Sequence, residues 1–175
     1  MLIVVSGGSA SGKSEYAEGL VLQSQASCRV YVATMEVWDA ECRARVERHR
    51  LMRKDKGFQT VEAPYDLAHA PIPADGVALL ECLSNLCANE CFGSGGQGMD
   101  GAYDRIRQGI RHLTAVSRDV VIVTNELFSD GITYPKETEQ YLDILARLNR
   151  EIAAEADQVW EVCCGIPICW KGAQV

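Results

Sequence analysis

With 175 residues, the chain is long enough to form one domain with a sizeable hydrophobic core and needs no second domain. Its net charge of −7, from 17 Lys and Arg against 24 Asp and Glu, argues against general electrostatic binding to nucleic acid or to an anionic membrane. The sequence has neither a signal-peptide pattern nor an apolar run near the roughly 20 residues of a membrane span, so we expect a cytoplasmic protein.

Short apolar runs alternate with longer amphipathic stretches along the chain. The apolar runs predict strands at 2–6, 29–33, 58–62, 77–81, 120–124 and 158–163, and a further short strand near 166–170. The amphipathic stretches predict helices at 14–25, 39–54, 82–92, 101–117 and 137–155. This alternation is typical of a largely parallel sheet covered by helices on both faces. We interpret the glycine-rich stretch 93–98 as a flexible connector.

The first predicted strand leads directly into a complete G-x-x-x-x-G-K-S motif. It comprises Gly7, Gly8, Ser9, Ala10, Ser11, Gly12, Lys13 and Ser14. In such a loop the glycines let backbone N–H groups point at phosphate oxygens, the lysine reaches the β and γ phosphates, and the serine can bind Mg²⁺. The strand before the motif and the helix after it supply the required context. The expected fold is therefore α/β, a P-loop NTPase (RecA-like) three-layer sandwich with a mainly parallel sheet, forming one nucleotide-binding domain over residues 1–175.

A basic segment follows the second predicted strand. Seven of the 17 basic residues fall between positions 39 and 56: Arg43, Arg45, Arg48, Arg50, Arg53, Lys54 and Lys56. This concentration indicates an anionic ligand, although a solvated basic helix would have the same pattern. Cys42, Val46 and His49 share one helical stripe, which places His49 beside the packed face. No comparable pattern surrounds His69 or His112.

Two predicted strands end in an acidic residue. Glu81 follows Val77–Leu80, and Glu126 follows Val120–Asn125. Because ligands bind at the carboxyl ends of strands in open α/β sheets, Glu81 is a candidate for holding Mg²⁺ through water. A helix cap or a solvated strand end is the alternative interpretation for both residues.

Eight cysteines are present, without any C-x-x-C motif. Cys28, Cys82, Cys87, Cys163, Cys164 and Cys169 lie in apolar segments. We expect these to be buried free thiols, which pack as small hydrophobic side chains. A zinc site formed by Cys82, Cys87 and Cys91 is a less favoured alternative, because their spacing is not typical of structural zinc.

Several short motifs, taken in order, resemble one known family. They are V-S-G-G-x-x-S-G-K-S at 5–14, Y-V-A-T at 31–34, R-V-x-x-H at 45–49, F-Q-T-V-E-A-P at 58–64, L-L-E-C at 79–82, V-T-N-E at 123–126, the spacing of Asp143 and Asn149, and A-D-Q-V-W at 156–160. Over essentially its whole length the chain resembles the bifunctional adenosylcobinamide kinase/adenosylcobinamide-phosphate guanylyltransferase family of cobalamin biosynthesis.

The resemblance implies two reactions. The enzyme would phosphorylate adenosylcobinamide with ATP or GTP, and would then transfer GMP from GTP to that phosphate through a guanylylated histidine, at the position of His49. Lys13 and Mg²⁺ would serve both steps, with Ser14 and Glu81 at the metal. Thr34, Glu62 and Glu81 would join the phosphate loop in nucleotide binding. The resemblance also implies a homo-oligomer, a trimer, whereas the absence of a nucleic-acid partner and of a membrane span is expected from charge and hydropathy alone.

The chain departs from the family pattern at three places. Ala10 stands where an arginine is usual in the phosphate loop, Leu142 stands where an arginine usually precedes the acid matched by Asp143, and residues 127–135 replace a glycine-rich stretch. Two alternatives therefore remain at this point: another small-molecule P-loop kinase, or a catalytically weakened nucleotide-binding protein with a regulatory role.

Overall fold

The computed structural model describes residues 1–36, 43, 46–47, 51 and 53–172. Its strands are β1 (Leu2–Gly7), β2 (Arg29–Ala33), β3 (Phe58–Glu62), β4 (Val77–Glu81), β5 (Asp119–Asn125), β6 (Gln158–Cys163) and β7 (Ile166–Lys171). Its α-helices are α1 (Lys13–Gln23), α2 (Leu83–Phe92), α3 (Gly98–Val116) and α4 (Lys136–Glu155), and a short 3₁₀ helix spans Leu67–His69.

The strands of the described residues form one seven-stranded sheet in the order β3-β2-β4-β5-β1-β6-β7. Neighbouring strands are parallel except for β6 and β7, which form an antiparallel hairpin at one edge. Strand β5 lies between β1 and β4. The carboxyl ends of these three strands therefore meet at one edge of the sheet, where the phosphate loop follows β1.

Both faces of the sheet are covered, which is why the central strands are apolar at successive positions along most of their length. Leu2 and Val4 belong to a core that includes residues of α2, α3 and α4. Ile3 and Val5 belong to a second core on the opposite face, beneath α1. Successive side chains of a strand point to opposite faces, so one apolar run contributes to both cores and the molecule has three layers.

The predicted strands are confirmed, including the short one near 166–170. Helices α1, α2, α3 and α4 match predicted helices, and α3 starts three residues earlier than expected. Most of the predicted helix 39–54 lies outside the described residues. The sequence interpretation missed the 3₁₀ helix at Leu67–His69, which is too short for a periodic pattern.

The glycine-rich stretch 93–98 is not the simple flexible connector we expected. A β-carbon on Gly93 would lie 2.1 Å from the Tyr65 hydroxyl oxygen, and one on Gly95 would lie 3.0 Å from the Tyr65 ring. The carboxylate of the buried Glu90 also accepts a hydrogen bond from the Gln97 backbone N–H. Gly93 and Gly95 are therefore needed because the chain packs tightly around Tyr65.

The expectation of buried thiols holds for Cys82 and Cys87, whereas Cys28 and Cys169 are only half-buried. It is wrong for Cys163 and Cys164, which are exposed. These two cysteines lie at the turn of the edge hairpin formed by β6 and β7. Within the described part of the chain, no group of three or more His, Cys, Asp or Glu residues is arranged to hold a metal ion. The helices described include none long and apolar enough to cross a membrane.

Candidate active site

The phosphate loop connects β1 to α1 and ends where the helix begins. Gly12 has φ +92°, a left-handed conformation that favours glycine, and a β-carbon there would approach the Gly165 α-carbon to 3.3 Å. The buried ammonium of Lys13 donates a hydrogen bond of 3.0 Å to the Gly8 carbonyl. The lysine is therefore held across the loop, with its charge at the place where phosphate oxygens would lie.

Glu81, at the end of β4, is joined directly to the phosphate loop. The Ser14 hydroxyl donates a hydrogen bond of 2.6 Å to Glu81 Oε1. Burial raises the pKa of the Glu81 carboxyl, and the Ser14 hydrogen bond and the Lys13 charge oppose that rise. The other oxygen, Oε2, is buried without a hydrogen-bond partner among the described residues. Glu81 is not the cap of α2, since Cys82 occupies the cap position.

Thr34 is fully buried and supports the main chain at the end of β4. Its hydroxyl lies 2.9 Å from the carbonyl oxygens of Glu81 and Cys82, and it accepts a hydrogen bond from the Cys82 N–H. Its own carbonyl accepts a hydrogen bond from the Asn89 side chain. The Thr34 side chain thus holds Glu81 in place and does not line the cleft beside it.

A cleft of about 420 Å³ opens beside the loop. It is lined by Ser9, Ala10, Lys13, Ser14, Tyr31, Ala33, Met35, Val46, Arg53, Thr60, Glu62, Glu81, Cys82, Asn85 and Asn125. The cleft therefore gathers acids from the ends of β3 and β4 around the cation of the phosphate loop. A volume in this range is typical of a small-molecule site.

Arg53 places a second cation in this cleft. Its guanidinium carbon lies 3.3 Å from the centre of the Tyr31 ring, and the side chain is 6% exposed. Arg53 Nη1 is buried without a hydrogen-bond partner within the described part of the chain. Close by in sequence, Lys56 forms an ion pair with the buried Glu18 of α1. The end of the basic segment is therefore fixed against the loop helix, with an unused donor at the cleft.

A second cleft, of about 550 Å³, lies on the other side of Ser9. Its lining residues are Ser9, Glu126, Leu127, Ser129, Asp130, Tyr134, Thr138, Tyr141 and Leu142. The Glu126 N–H donates to the Gly7 carbonyl, and the Glu126 carboxylate accepts hydrogen bonds of 2.9 Å from the Phe128 N–H and the Ser129 hydroxyl. Glu126 therefore both adjoins the phosphate loop and organises the segment that follows β5.

The structure brings Ser9, Ala10, Lys13, Ser14, Glu62 and Glu81 together in the first cleft. Gly7, Gly8, Ser11 and Gly12 form the rest of the loop, and Thr34 lies behind Glu81. His49 lies outside the described residues. His69 pairs with Asp66, and His112 bonds to the Ala70 carbonyl, so neither belongs to the site.

Sequence reasoning missed several residues of the cleft, among them Arg53, Asn85 and Asn125. No sequence feature distinguished Arg53 from the other six basic residues of its segment. Asn125 belongs to the V-T-N-E motif and could have been identified from it. Asn85 lies in the first turn of α2 and carried no signal in the sequence.

The fold recurs in a solved structure of low sequence similarity. A prototypical ATPase from the type III secretion system of pathogenic bacteria superimposes with a TM-score of 0.54 and 8% sequence identity, over 91% of this chain and 50% of that chain. At this identity the likeness shows the fold alone. The α/β fold of P-loop NTPases predicted from the sequence is thereby confirmed.

Sequence comparison shows the family. The family described as CobU, cobinamide kinase / cobinamide phosphate guanyltransferase, matches residues 3–170. The bifunctional adenosylcobalamin biosynthesis protein CobU of Escherichia coli K12 is 35% identical over 181 aligned residues, covering 96% of this chain and 98% of the relative. The protein of the same name from Salmonella typhimurium LT2 is 33% identical with the same coverage. The chain therefore belongs to the cobinamide kinase / cobinamide phosphate guanyltransferase family.

Proposed function

We propose that this protein is a bifunctional enzyme of cobalamin biosynthesis that phosphorylates adenosylcobinamide with ATP or GTP and transfers GMP from GTP to the resulting phosphate. The observation that carries the proposal is the cleft in which Lys13, the Ser14–Glu81 pair and Arg53 meet, in a chain similar to CobU proteins over 96% of its length. The departures at Ala10 and Leu142 do not favour an unrelated kinase or a binding protein, because the acids and the phosphate loop are retained.

The kinase step uses the phosphate loop. Backbone N–H groups of the loop and the Lys13 ammonium would bind the triphosphate and stabilise the charge on the phosphoryl group during transfer. Catalysis of this kind depends mostly on positioning and charge neutralisation, which a rigid loop and a buried lysine supply. The acceptor hydroxyl attacks the γ-phosphorus, the bond to the bridging oxygen breaks, and ADP or GDP leaves.

The residues beside Lys13 fit Mg²⁺. The Ser14 hydroxyl and the Glu81 carboxylate are hard oxygen donors, and Glu81 Oε2 is a buried acceptor without a partner among the described residues. Because the Ser14 proton is donated to Glu81, the lone pairs of the hydroxyl are left for the ion. Mg²⁺ held by Ser14, and by Glu81 through water, would neutralise charge on the phosphates.

For the guanylyl step we propose His49 as the nucleophile, on the strength of its match to the family motif R-V-x-x-H. Val46 and Arg53, on either side of position 49 in the sequence, both line the cleft. An imidazole nitrogen would attack the α-phosphorus of GTP as the bond to the departing pyrophosphate breaks. The phosphate of the cobinamide phosphate would then attack the same phosphorus, and the P–N bond would break.

The acceptor would enter through the second cleft, which shares Ser9 with the first. The acceptor oxygen must come within about 3.5 Å of the reacting phosphorus, so the acceptor cleft must adjoin the nucleotide cleft. The two clefts adjoin at Ser9. Leu127 and Leu142 line this cleft, and the Leu127 side chain is exposed. Exposed apolar side chains suit the faces of a bulky corrin ring, and the carboxylates of Glu126 and Asp130 suit its amides.

Incubation of the protein with Mg²⁺, adenosylcobinamide and GTP labelled at either the α or the γ phosphate tests both steps. We expect γ label in cobinamide phosphate and α label first on the protein and then in the final product. Lys13→Ala should remove the kinase step while leaving the unfolding transition nearly unchanged. Failure of the wild-type protein to phosphorylate cobinamide, or full activity of the Lys13→Ala variant, would contradict the proposal.

We further propose that the protein forms a homo-oligomer, a trimer by family resemblance. Strand β7 is an edge strand on which Ile168 and Trp170 are exposed, further along the hairpin than its turn, and such a surface is typical of an interface. Light scattering at several concentrations would give the mass, and Trp170→Lys should lower it. A monomeric mass for the wild-type protein would contradict this proposal.

We also propose that residues 1–175 form a single nucleotide-binding domain that works in the cytoplasm without a nucleic-acid partner. The single sheet of the described residues and the net charge of −7 support these points. Limited proteolysis, fractionation and a nucleic-acid binding assay would test them.

A further inference from the structure

Two adjacent thiols lie at the turn of the edge hairpin. Cys163 ends β6 and pairs with Ile166 of β7, so Cys164 and Gly165 form a two-residue turn. Both turn residues have positive φ, +51° and +79°, which is the type I′ conformation. Cys163 and Cys164 are exposed free thiols. A turn of this type is rigid, so the two sulfurs are presented together to solvent.

The distance between the sulfurs suits chelation. Cys163 Sγ and Cys164 Sγ are 4.0 Å apart. Two sulfurs bound at about 2.3 Å to one atom lie about 3.8 Å apart at a tetrahedral centre and about 3.4 Å apart at a pyramidal one, so only a small movement of the side chains is needed. A disulfide would require the sulfurs to approach to about 2.05 Å between residues whose α-carbons are closer than usual for such a bond. A single atom bridging both sulfurs therefore fits better than a direct bond between them.

The number of ligands indicates which kind of centre fits. No third His, Cys, Asp or Glu completes a metal cluster around these thiols in the described part of the chain. A zinc ion normally takes four protein ligands in a structural site. A trivalent arsenical with one organic substituent needs only two more bonds, which a dithiol supplies.

The hairpin turn is also in contact with the phosphate loop. The Gly165 N–H donates a hydrogen bond of 2.8 Å to the Ser11 carbonyl. Behind the loop, a β-carbon on Gly7 would lie 2.6 Å from the Val162 carbonyl oxygen, so the end of β6 also abuts it. A shift of the turn would therefore also displace the backbone of the phosphate loop.

We propose that Cys163 and Cys164 form a dithiol site that binds monosubstituted trivalent arsenicals, and that occupation of this site weakens nucleotide binding at the phosphate loop. With an arsenoxide, two S–As bonds form and both thiol protons leave with the oxide oxygen as water. Arsenic stays trivalent, so no oxidant is needed. The site is separate from the proposed catalytic residues and does not depend on which acceptor the enzyme uses.

The test uses phenylarsine oxide on the full-length protein. Native mass spectrometry should show one phenylarsenic group per chain, mapped to residues 163 and 164 and removed by excess small-molecule dithiol. Nucleotide affinity, measured by titration calorimetry with GTP and Mg²⁺, should fall about fivefold or more in the adduct and recover after its removal.

Three variants make the assignment specific. Cys163→Ser and Cys164→Ser each leave one sulfur and should lose both the adduct and the effect on affinity. Cys169→Ser, which removes a half-buried thiol on the same hairpin, should retain both. An adduct that persists in Cys163→Ser, for instance at Cys87 and Cys91 of α2, would overturn the assignment.

Two further results would also overturn the proposal. An adduct at residues 163 and 164 with unchanged GTP affinity would remove the coupling to the phosphate loop. A similar loss of affinity with zinc ions, absent from the Cys163→Ser variant, would replace the arsenical with a metal ion. Absence of GTP binding by the unmodified protein would contradict the proposed function instead, and the mass measurement would still test the dithiol site.

Discussion

Ser14 and Glu81 are 67 positions apart in the chain, yet the Ser14 hydroxyl donates a hydrogen bond of 2.6 Å to Glu81 Oε1. The bond connects the first residues of α1 with the end of β4, although β5 separates β4 from β1 in the sheet. It orients the hydroxyl that would bind Mg²⁺, and it places beside that hydroxyl a buried carboxylate that would hold the ion through water. The pair is therefore the natural place to test the kinase mechanism.

Replacing Glu81 with Gln should impair metal use more than nucleotide binding. The amide oxygen can still accept the Ser14 hydrogen bond, but the charge that attracts Mg²⁺ is lost. We expect the kinase rate or the apparent Mg²⁺ affinity to fall about 10- to 100-fold. Rates measured across Mg²⁺ concentrations test this, with Asp104→Asn on the exposed face of α3 as control. An unaltered Mg²⁺ dependence would remove Glu81 from the metal site.

The same substitution should stabilise the metal-free protein at neutral pH. Burial raises the pKa of Glu81, so the folded state favours the protonated form. Below about pH 4.5, the ordinary pKa of the carboxyl, the group is protonated in both the folded and the unfolded state and does not affect stability. As the pH rises above that value, the unfolded state ionises first and the free energy of unfolding falls, until the folded-state pKa is passed. Without Mg²⁺, the free energy of unfolding of Glu81→Gln should therefore exceed that of the wild type at pH 7 and match it near pH 4.

Urea unfolding at the two pH values measures this difference, and added Mg²⁺ should reduce it at pH 7 by binding the wild-type carboxylate. A variant less stable than the wild type at pH 7 would mean that the ionised carboxyl is favoured by its surroundings. The Ser14 and Lys13 contacts would then outweigh burial.

Arg53→Ala should weaken binding of the triphosphate. The guanidinium is buried against Tyr31, and its Nη1 lacks a partner among the described residues, so a bound anion would satisfy it. Loss of a hydrogen bond to a charged group predicts a KM for nucleotide about 10-fold higher or more. Arg53→Lys should recover only part of the loss, because lysine lacks the planar fork. Arg43→Ala, an exposed arginine of the same segment, should change KM little.

The sequence was sufficient for the elements and for the phosphate loop. Apolar runs such as Leu2–Val5 predict buried strands because covering both faces of a sheet requires apolar side chains at every position. The order of strands in the sheet is not a local property, so the contact between Ser14 and Glu81 could not be read from the motif alone. The role of Thr34 as a support for Glu81 depends on that same order.

Two predictions made from composition were wrong because they concern features that tertiary packing decides. The run around Cys163 and Cys164 is apolar, but β7 is an antiparallel edge strand, so its hairpin stays exposed. The glycines at 93–98 indicated flexibility by composition, whereas Gly93 and Gly95 are required by the position of the Tyr65 side chain. Neither the strand's edge position nor the neighbouring ring is encoded within a short window of sequence.

Substitution of Leu127 should affect the acceptor alone. Its side chain is exposed and lines the second cleft. Leu127→Ser should raise the KM for adenosylcobinamide about 10-fold, because apolar contact with the corrin ring is lost. The KM for nucleotide should not change. Leu22→Ser, an exposed apolar residue of α1, is the matched control. An unchanged cobinamide KM would place the acceptor elsewhere while leaving the kinase assignment intact.

Replacing His49 should separate the two half-reactions. Phosphorylation of a hydroxyl needs the phosphate loop, Mg²⁺ and a positioned alcohol, whereas guanylyl transfer through the protein needs a nucleophile as well. His49→Ala should therefore eliminate GMP transfer and spare most of the kinase activity. His69→Ala and His112→Ala, which remove histidines engaged away from the cleft, should retain both activities. Product analysis with α- and γ-labelled GTP measures the two steps separately.

The chemistry of the adduct identifies the residue type. A phosphoramidate on imidazole is labile in acid, because protonation of the ring nitrogen makes imidazole a good leaving group, and it is stable in base. The α label on the wild-type protein should therefore be lost in acid, survive base and be absent from His49→Ala. If the kinase step works but GTP leaves no such adduct, the protein acts as a kinase alone. The missing arginines at Ala10 and Leu142 would then be the first residues to restore, by Ala10→Arg and Leu142→Arg.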